Sequence, residues 1–156
     1  MLEASEKSQF YAQGLRFSCK RCSACCRFDA GYVFLSRKDT SSLCAALNMQ
    51  YEEFLDVYCR WVPGEQGKSQ LSLKEKQDYD CIFWSAEQGE GCLVYETRPL
   101  QCRTFPFWDS VMNSKKSWKL TAGNCPGMDQ GEIHSQDSIR KMLAQRQLEP
   151  IIFRND

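Results

Sequence analysis

Four cysteines fall within eight residues near the start of this chain. Cys19, Cys22, Cys25 and Cys26 lie in the run FSCKRCSACC, and no hydrophobic core needs thiols packed that densely. Thiolates three positions apart can close on one metal ion, because the backbone between them turns through a tight knuckle. Two adjacent cysteines cannot easily reach the same ion. Cys25 and Cys26 therefore point to two neighbouring centres or to a polynuclear one, and the rest of the fold must supply what completes the ligand set.

The chain has ten cysteines in all. In an exported protein they would read as a disulfide framework. The opening MLEASEKSQFYAQGL is polar and partly acidic, without the apolar stretch and cleavage site of a secretory signal. The expectation is therefore a cytoplasmic protein, where clustered thiols hold metal. Cys81, Cys92, Cys102 and Cys125 fall in segments flanked by glycine, proline or short strand ends, where knuckles and loops can aim sulfur at one point. With the opening four they make eight thiolates, enough for two closed tetrahedral sites.

Periodicity places these cysteines on a small mixed scaffold. The apolar run Tyr32 to Leu35 predicts a short buried strand. Ser36, followed three residues later by Asp39, carries the signature of a helix start, and Leu43, Ala46 and Leu47 give that helix one apolar face. Tyr51, Phe54, Leu55 and Tyr58 recur at helical spacing, with Pro63 and Gly64 as the expected stop. Strand-like pieces at QLSL, CIFW and CLVY predict an antiparallel meander, since strands joined this closely pair with their neighbours. Pro99, Pro106 and Pro126 break the chain into irregular pieces until Ser135, where Ile139, Met142 and Leu143 mark a last helix. The expected fold is thus α+β, loop-rich and small, with about three helices and a short antiparallel meander stapled by cysteine-bound metal. It reads as one domain: residues 1–16 as a lead-in, 17–131 as the metal-binding body, and 132–156 as a helix and tail packed on it.

The tripartite order FSCKRCSACC, then CIFW with GCLVYETRPLQCRTFPFW, then CPGMDQG resembles the bacterial cysteine-cluster proteins described as a zinc- or iron-chelating domain. The resemblance covers residues 17 to 131. It implies metal binding by Cys19, Cys22, Cys25, Cys26, Cys81, Cys92, Cys102 and Cys125, and implies no settled biochemical activity. A related cysteine motif occurs in a flagellin lysine methylase, which adds an iron–sulfur centre to the alternatives. This chain lacks a glycine-rich nucleotide loop and the length for a methyltransferase domain, so that activity is not carried over.

Zinc and iron both fit the pattern. CxxCxxC is the run that bacterial ferredoxins use for a [4Fe–4S] cluster, and Cys125-Pro126 echoes their outlying Cys-Pro. The adjacent Cys25-Cys26 departs from that run, and all-thiolate knuckles suit zinc equally. The expected cofactor is zinc or iron, as ions or as a [4Fe–4S] cluster, in one to three centres. Cys59, at the end of the second predicted helix, is a candidate ninth ligand or a core thiol. Cys44, among small apolar residues, reads as structural.

Other residues weigh less. Arg98 and Arg103 flank Cys102 and could offset the negative charge of a tetrathiolate site; the alternative is surface pairing with Glu96 or Asp109. Phe17, Phe28, Phe83, Tyr95, Phe105 and Phe107 lie near ligand positions and read first as core aromatics. His134, the only histidine, reads as a loop or capping residue. Lys115, Lys116 and Lys119 around Trp118 read as a solvated loop. Twenty basic residues balance twenty acidic ones, which removes the general field that would recruit nucleic acid or an anionic membrane, and no apolar run has the length of a membrane span. No nucleophile elbow, phosphate loop or paired acid and base is present. A metal-binding module with an unidentified protein partner is the leading reading, and an iron–sulfur protein in electron transfer, or accessory to a protein-modifying enzyme, is the alternative.

Overall fold

A computed structural model describes residues 10–20, 32–78, 80–85 and 91–155. The chain forms two compact units, each assembled from two separate stretches. The first joins Met1–Ala24 to Thr104–Gln145, and the second joins Cys25–Arg103 to Arg146–Asp156.

In the first unit, strand β1 (Leu15–Phe17) pairs antiparallel with β6 (Met128–His134). The register runs Leu15 with His134 and Arg16 with Ile133, then jumps to Phe17 with Met128, so Asp129 to Glu132 loop out of the ladder. Helices α4 (Asp109–Met112) and α5 (Lys115–Ala122) precede β6, and α6 (Gln136–Leu148) follows it and runs past the end of the unit. Ser114 caps α5 by accepting the amide of Ser117 at 3.0 Å. The core is largely aromatic and sulfurous: Tyr11, Phe107, Val111, Met112, Trp118, Met128 and Ile139 are buried together. Phe107 stacks on Trp118 with ring centroids 5.8 Å apart.

The second unit is built around β2 (Cys59–Pro63) and β3 (Lys68–Leu73), an antiparallel pair to which β7 (Phe153–Asn155) adds on the far side of β3. Pro63 is tolerated because β2 is an edge strand, where a missing amide breaks no ladder. Before the sheet come α1 (Arg37–Leu47) and α2 (Tyr51–Tyr58); after it comes a small hairpin of β4 (Trp84–Ser85) and β5 (Gly91–Cys92). Helix α3 (Leu100–Thr104) ends this stretch. Its core is mostly aliphatic: Leu35, Leu43, Leu71 and Leu73 surround Phe54, Phe83, Val94 and Cys59.

The mixed architecture with small antiparallel sheets matches expectation, and the three expected helices form. The capping box at Ser36 is complete: its hydroxyl accepts the Asp39 amide at 3.1 Å, and the Asp39 carboxylate accepts the Ser36 amide at 2.9 Å. Other expectations are corrected. Helices α3, α4 and α5 are additional, formed where prolines suggested irregular chain. Pro99 sits just before a helix, where its fixed φ and missing amide are compatible with a start. Helix α2 stops at Tyr58 and not at Pro63, because Cys59 is already extended and Arg60 to Val62 pair with β3. Tyr32 to Leu35 forms no named strand: Phe34 makes an isolated bridge with Ser72, and the Leu35 carbonyl accepts the Ile152 amide at 2.9 Å. The meander is replaced by the order β2-β3-β7, whose third strand comes from the far end of the chain. Among the described residues, no helix is long and apolar enough to cross a membrane.

Candidate metal centre

Cys22, Cys25 and Cys26 lie outside the described residues, as does Phe28. Of the other five expected ligands, four fall at reversals of the chain or in short elements. Cys19 follows β1 and is exposed. Cys125 is half-buried beside the aromatic core of the first unit. It opens a turn in which the Met128 amide donates back to the Cys125 carbonyl at 3.2 Å. Pro126 occupies the second position of that turn, where its fixed φ is favourable.

Cys81 and Cys92 converge on one hairpin in the second unit. The Trp84 amide donates to the Cys81 carbonyl at 2.9 Å, which turns the chain immediately after the cysteine. Trp84 then pairs directly with Cys92 across β4 and β5. Leu93 donates to the Phe83 carbonyl at 2.8 Å and closes the hairpin from the other side. Both cysteines are half-buried against the aliphatic core.

Cys102 is on the single turn of α3, and that turn is heavily fixed. Its amide donates to the Pro99 carbonyl at 2.9 Å. The Leu100 amide donates to Asp39 Oδ1 at 2.9 Å, so the carboxylate that caps α1 also anchors the start of α3. The Gln101 side chain clamps the segment around Val33, accepting from the Phe34 amide at 3.0 Å and donating to the Tyr32 carbonyl at 2.7 Å. Asp39, only 3 % exposed, and Gln101 were invisible as positioning residues in the sequence, because one reads as a cap and the other falls in a stretch that reads as irregular chain.

Arg103 lies among carboxylates distant in sequence. Its guanidinium lies 3.9 Å from Asp39 and 3.7 Å from Glu149, two buried carboxylates, and its Nε donates to the Arg98 carbonyl. Arg98 lies over the Tyr95 ring at 3.9 Å. Arg103 thus faces carboxylates brought from α1 and from just beyond α6, and Arg98 stacks on an aromatic of its own segment. His134 is not a loop residue: it ends β6, and its Nε2 donates to the Phe17 carbonyl at 2.9 Å. The Lys115–Lys119 stretch is a helix, since Trp118 is 1 % exposed and anchors it in the core. Phe83 and Phe107 are buried in the two cores, in line with their reading as core aromatics.

Cys59 occupies a different environment from the five. It is 6 % exposed, pairs with Leu73 in the β2–β3 ladder, and belongs to the aliphatic core. Burial, reinforced by the neighbouring Cys44, pushes its thiol up to about 12. A ligand must be a thiolate, so this setting suits a core thiol. Burial also raises the Cys44 thiol, in keeping with a small hydrophobe on α1.

As a donor set the five cysteines fit a thiophilic ion: soft sulfur, half-buried for the most part, on backbone fixed by turns. Among the described residues, no three His, Cys, Asp or Glu side chains converge to hold a metal by themselves.

No solved structure matches the chain. It is 33% identical over 140 residues to a protein of Methanocaldococcus jannaschii named "Uncharacterized protein MJ0661", an alignment that covers 86% of this chain and 70% of the relative. That relative is archaeal, so the likeness is not confined to bacteria. Residues 18–126 match the CxxCxxCC family, described as "Putative zinc- or iron-chelating domain". On the strength of both, this chain belongs to the CxxCxxCC family.

Proposed function

We propose that this protein chelates zinc or iron through the thiolates of Cys19, Cys22, Cys25, Cys26, Cys81, Cys92, Cys102 and Cys125, and that the bound metal is required for its fold. The observation that carries the reading is a contrast among thiols. Of the five described members of this set, four lie at turns, a strand end or a single-turn helix and Cys19 is exposed just past β1, whereas Cys59 is sealed in an aliphatic core. Family membership supports the same chemistry. Eight thiolates suffice for about two closed sites, and sulfur bridges would reduce or enlarge that number. Cys59 is assigned to the core. The metal is structural, the protein presents its surface to a protein partner, and the reducing cytoplasm is where such thiols persist.

A second reading is favoured by CKRCSAC together with Cys125-Pro126: a [4Fe–4S] protein in electron transfer or serving a protein-modifying enzyme. One experiment separates the two. Anaerobically purified protein is examined by absorbance and assayed for zinc, iron and acid-labile sulfide. Colourless protein with about two zinc ions per chain supports the first reading; brown protein with sulfide supports the second. Protein that retains neither metal sinks both.

A further inference from the structure

The segment CPGMDQG supplies more than a cysteine. Three of its contacts, and a fourth from Glu132 just beyond it, converge on the strand that ends one residue before Ser18, or on Ser18 itself, the residue preceding Cys19. The Ser18 amide donates to the Gly127 carbonyl at 3.2 Å. Its hydroxyl accepts the Glu132 amide at 2.8 Å. Phe17 pairs with Met128, and Arg16 donates to the Gly131 carbonyl at 3.0 Å. The loop between Met128 and Glu132 thus closes around Ser18 from two sides.

Two glycines make that closure possible. A Cβ on Gly127 would lie 2.2 Å from the Ser18 carbonyl oxygen, and one on Gly131 would lie 2.2 Å from the Ser18 hydroxyl. Gly131 also has φ +81, which disfavours any other residue. Asp129, another left-handed position at φ 63, is held by the Trp118 indole, which donates to its carboxylate at 3.0 Å. The loop is therefore fastened to the core of the first unit.

The consequence is a juxtaposition. Antiparallel pairing carries the chain from Phe17 and Ser18 toward Cys19 as the opposite chain runs back from Met128 and Gly127 toward Cys125. The turn at Cys125 keeps that residue within about 7 Å of Met128, Cα to Cα. Both cysteines leave the same end of the same strand pair.

We propose that Cys19 and Cys125 bind the same metal ion, and that Ser18, Gly127 and Gly131 are positioning residues that seat them. This rests on the metal-binding reading above and adds a pairing and a mechanism of placement to it. The test is pulsed alkylation of the full chain as purified, read cysteine by cysteine by mass spectrometry while a chelator withdraws the metal. This works for zinc and iron alike.

Cys125→Ser is expected to speed alkylation of Cys19 about tenfold or more, with a smaller change at Cys81, Cys92 and Cys102, and Cys19→Ser to do the same to Cys125. Gly127→Ala and Ser18→Ala are expected to release Cys19 and Cys125 together with the same selectivity. Should Gly127→Ala fail to fold, Ser18→Ala, which deletes one hydroxyl acceptor, carries that arm. Unchanged Cys19 protection in Cys125→Ser overturns the pairing, as does an equal rise at every cysteine, which would mean one indivisible cluster. Wild-type rates in Ser18→Ala and Gly127→Ala overturn the positioning role. If none of Cys19, Cys81, Cys92, Cys102 and Cys125 in the wild-type protein is protected relative to denatured chain, the metal-binding reading itself falls; Cys59, sealed in the core, serves as the metal-independent control.

Discussion

In the first unit, Cys19 and Cys125 are placed by what is missing: Gly127 and Gly131 carry no Cβ, and the backbone around Ser18 closes into that space. In the second, Cys102 is placed by what is buried: Asp39 caps α1 with one oxygen and holds the Leu100 amide with the other. The first device costs little, because backbone pairs with backbone. The second puts a carboxylate in a nearly dry setting and depends on its partners being present. The two units also differ in their cores, aromatic and sulfurous against aliphatic. Placement by absence is sensitive to added bulk, and placement by burial is sensitive to lost partners.

The widest test asks whether either device suffices without metal. Strong chelation, or joint replacement of Cys19 and Cys22 by serine, is expected to abolish the helical circular dichroism, because thiolate–metal binding supplies folding free energy. Retention of the spectrum after verified metal loss would mean that the two cores stand alone.

A sharper cut is Trp118→Ala. It empties the centre of the aromatic core and strips Asp129 of its indole donor, for an expected loss of about 3–5 kcal/mol in urea unfolding. Hydrogen exchange should quicken at β6 amides more than at β3 amides; equal quickening would erase the distinction between the units. Asp39→Ala should cost about 3 kcal/mol, combining a lost helix cap with a buried Leu100 amide left without its acceptor. Here the exchange response is expected in α1 and α3. A cost below about 1 kcal/mol would show that burial of Asp39 is incidental.

The smallest effect concerns Cys59. Its thiol stays protonated in the fold up to about 12, against an ordinary value of 9.0. Below pH 9 both states hold the proton and stability is unaffected. Between 9 and about 12 the unfolded chain ionises while the folded one does not, so stability falls, by about 1–2 kcal/mol at pH 10. Denaturation at pH 8 and pH 10 should show this extra loss in the wild type and not in Cys59→Ala. An identical loss in both would remove Cys59 from the core reading.

Much of the second unit was legible because its signals are local. The Ser36 capping box, the spacing of Phe54 and Leu55, and the QLSL strand each declare themselves within a few residues. The first unit was largely hidden because its order comes from pairing across the length of the chain. Nothing around Leu15 announces a strand until β6 lies beside it, and nothing around Lys115 announces a helix until Trp118 has a core to enter. The same holds at the candidate centre. Cysteine density and the family resemblance name the candidate ligands, but the close approach at Gly127 and the second oxygen of Asp39 depend on neighbours that sequence distance conceals.

The hydrogen bond between Ser18 and Glu132 spans 114 residues. A ribosome adding roughly 5–20 residues per second needs on the order of ten seconds to make that stretch. Cys19 therefore emerges well before the turn that is to receive it has been translated. For that interval the nascent thiol has no cradle, and its protection from oxidation or from a competing ion falls to its surroundings.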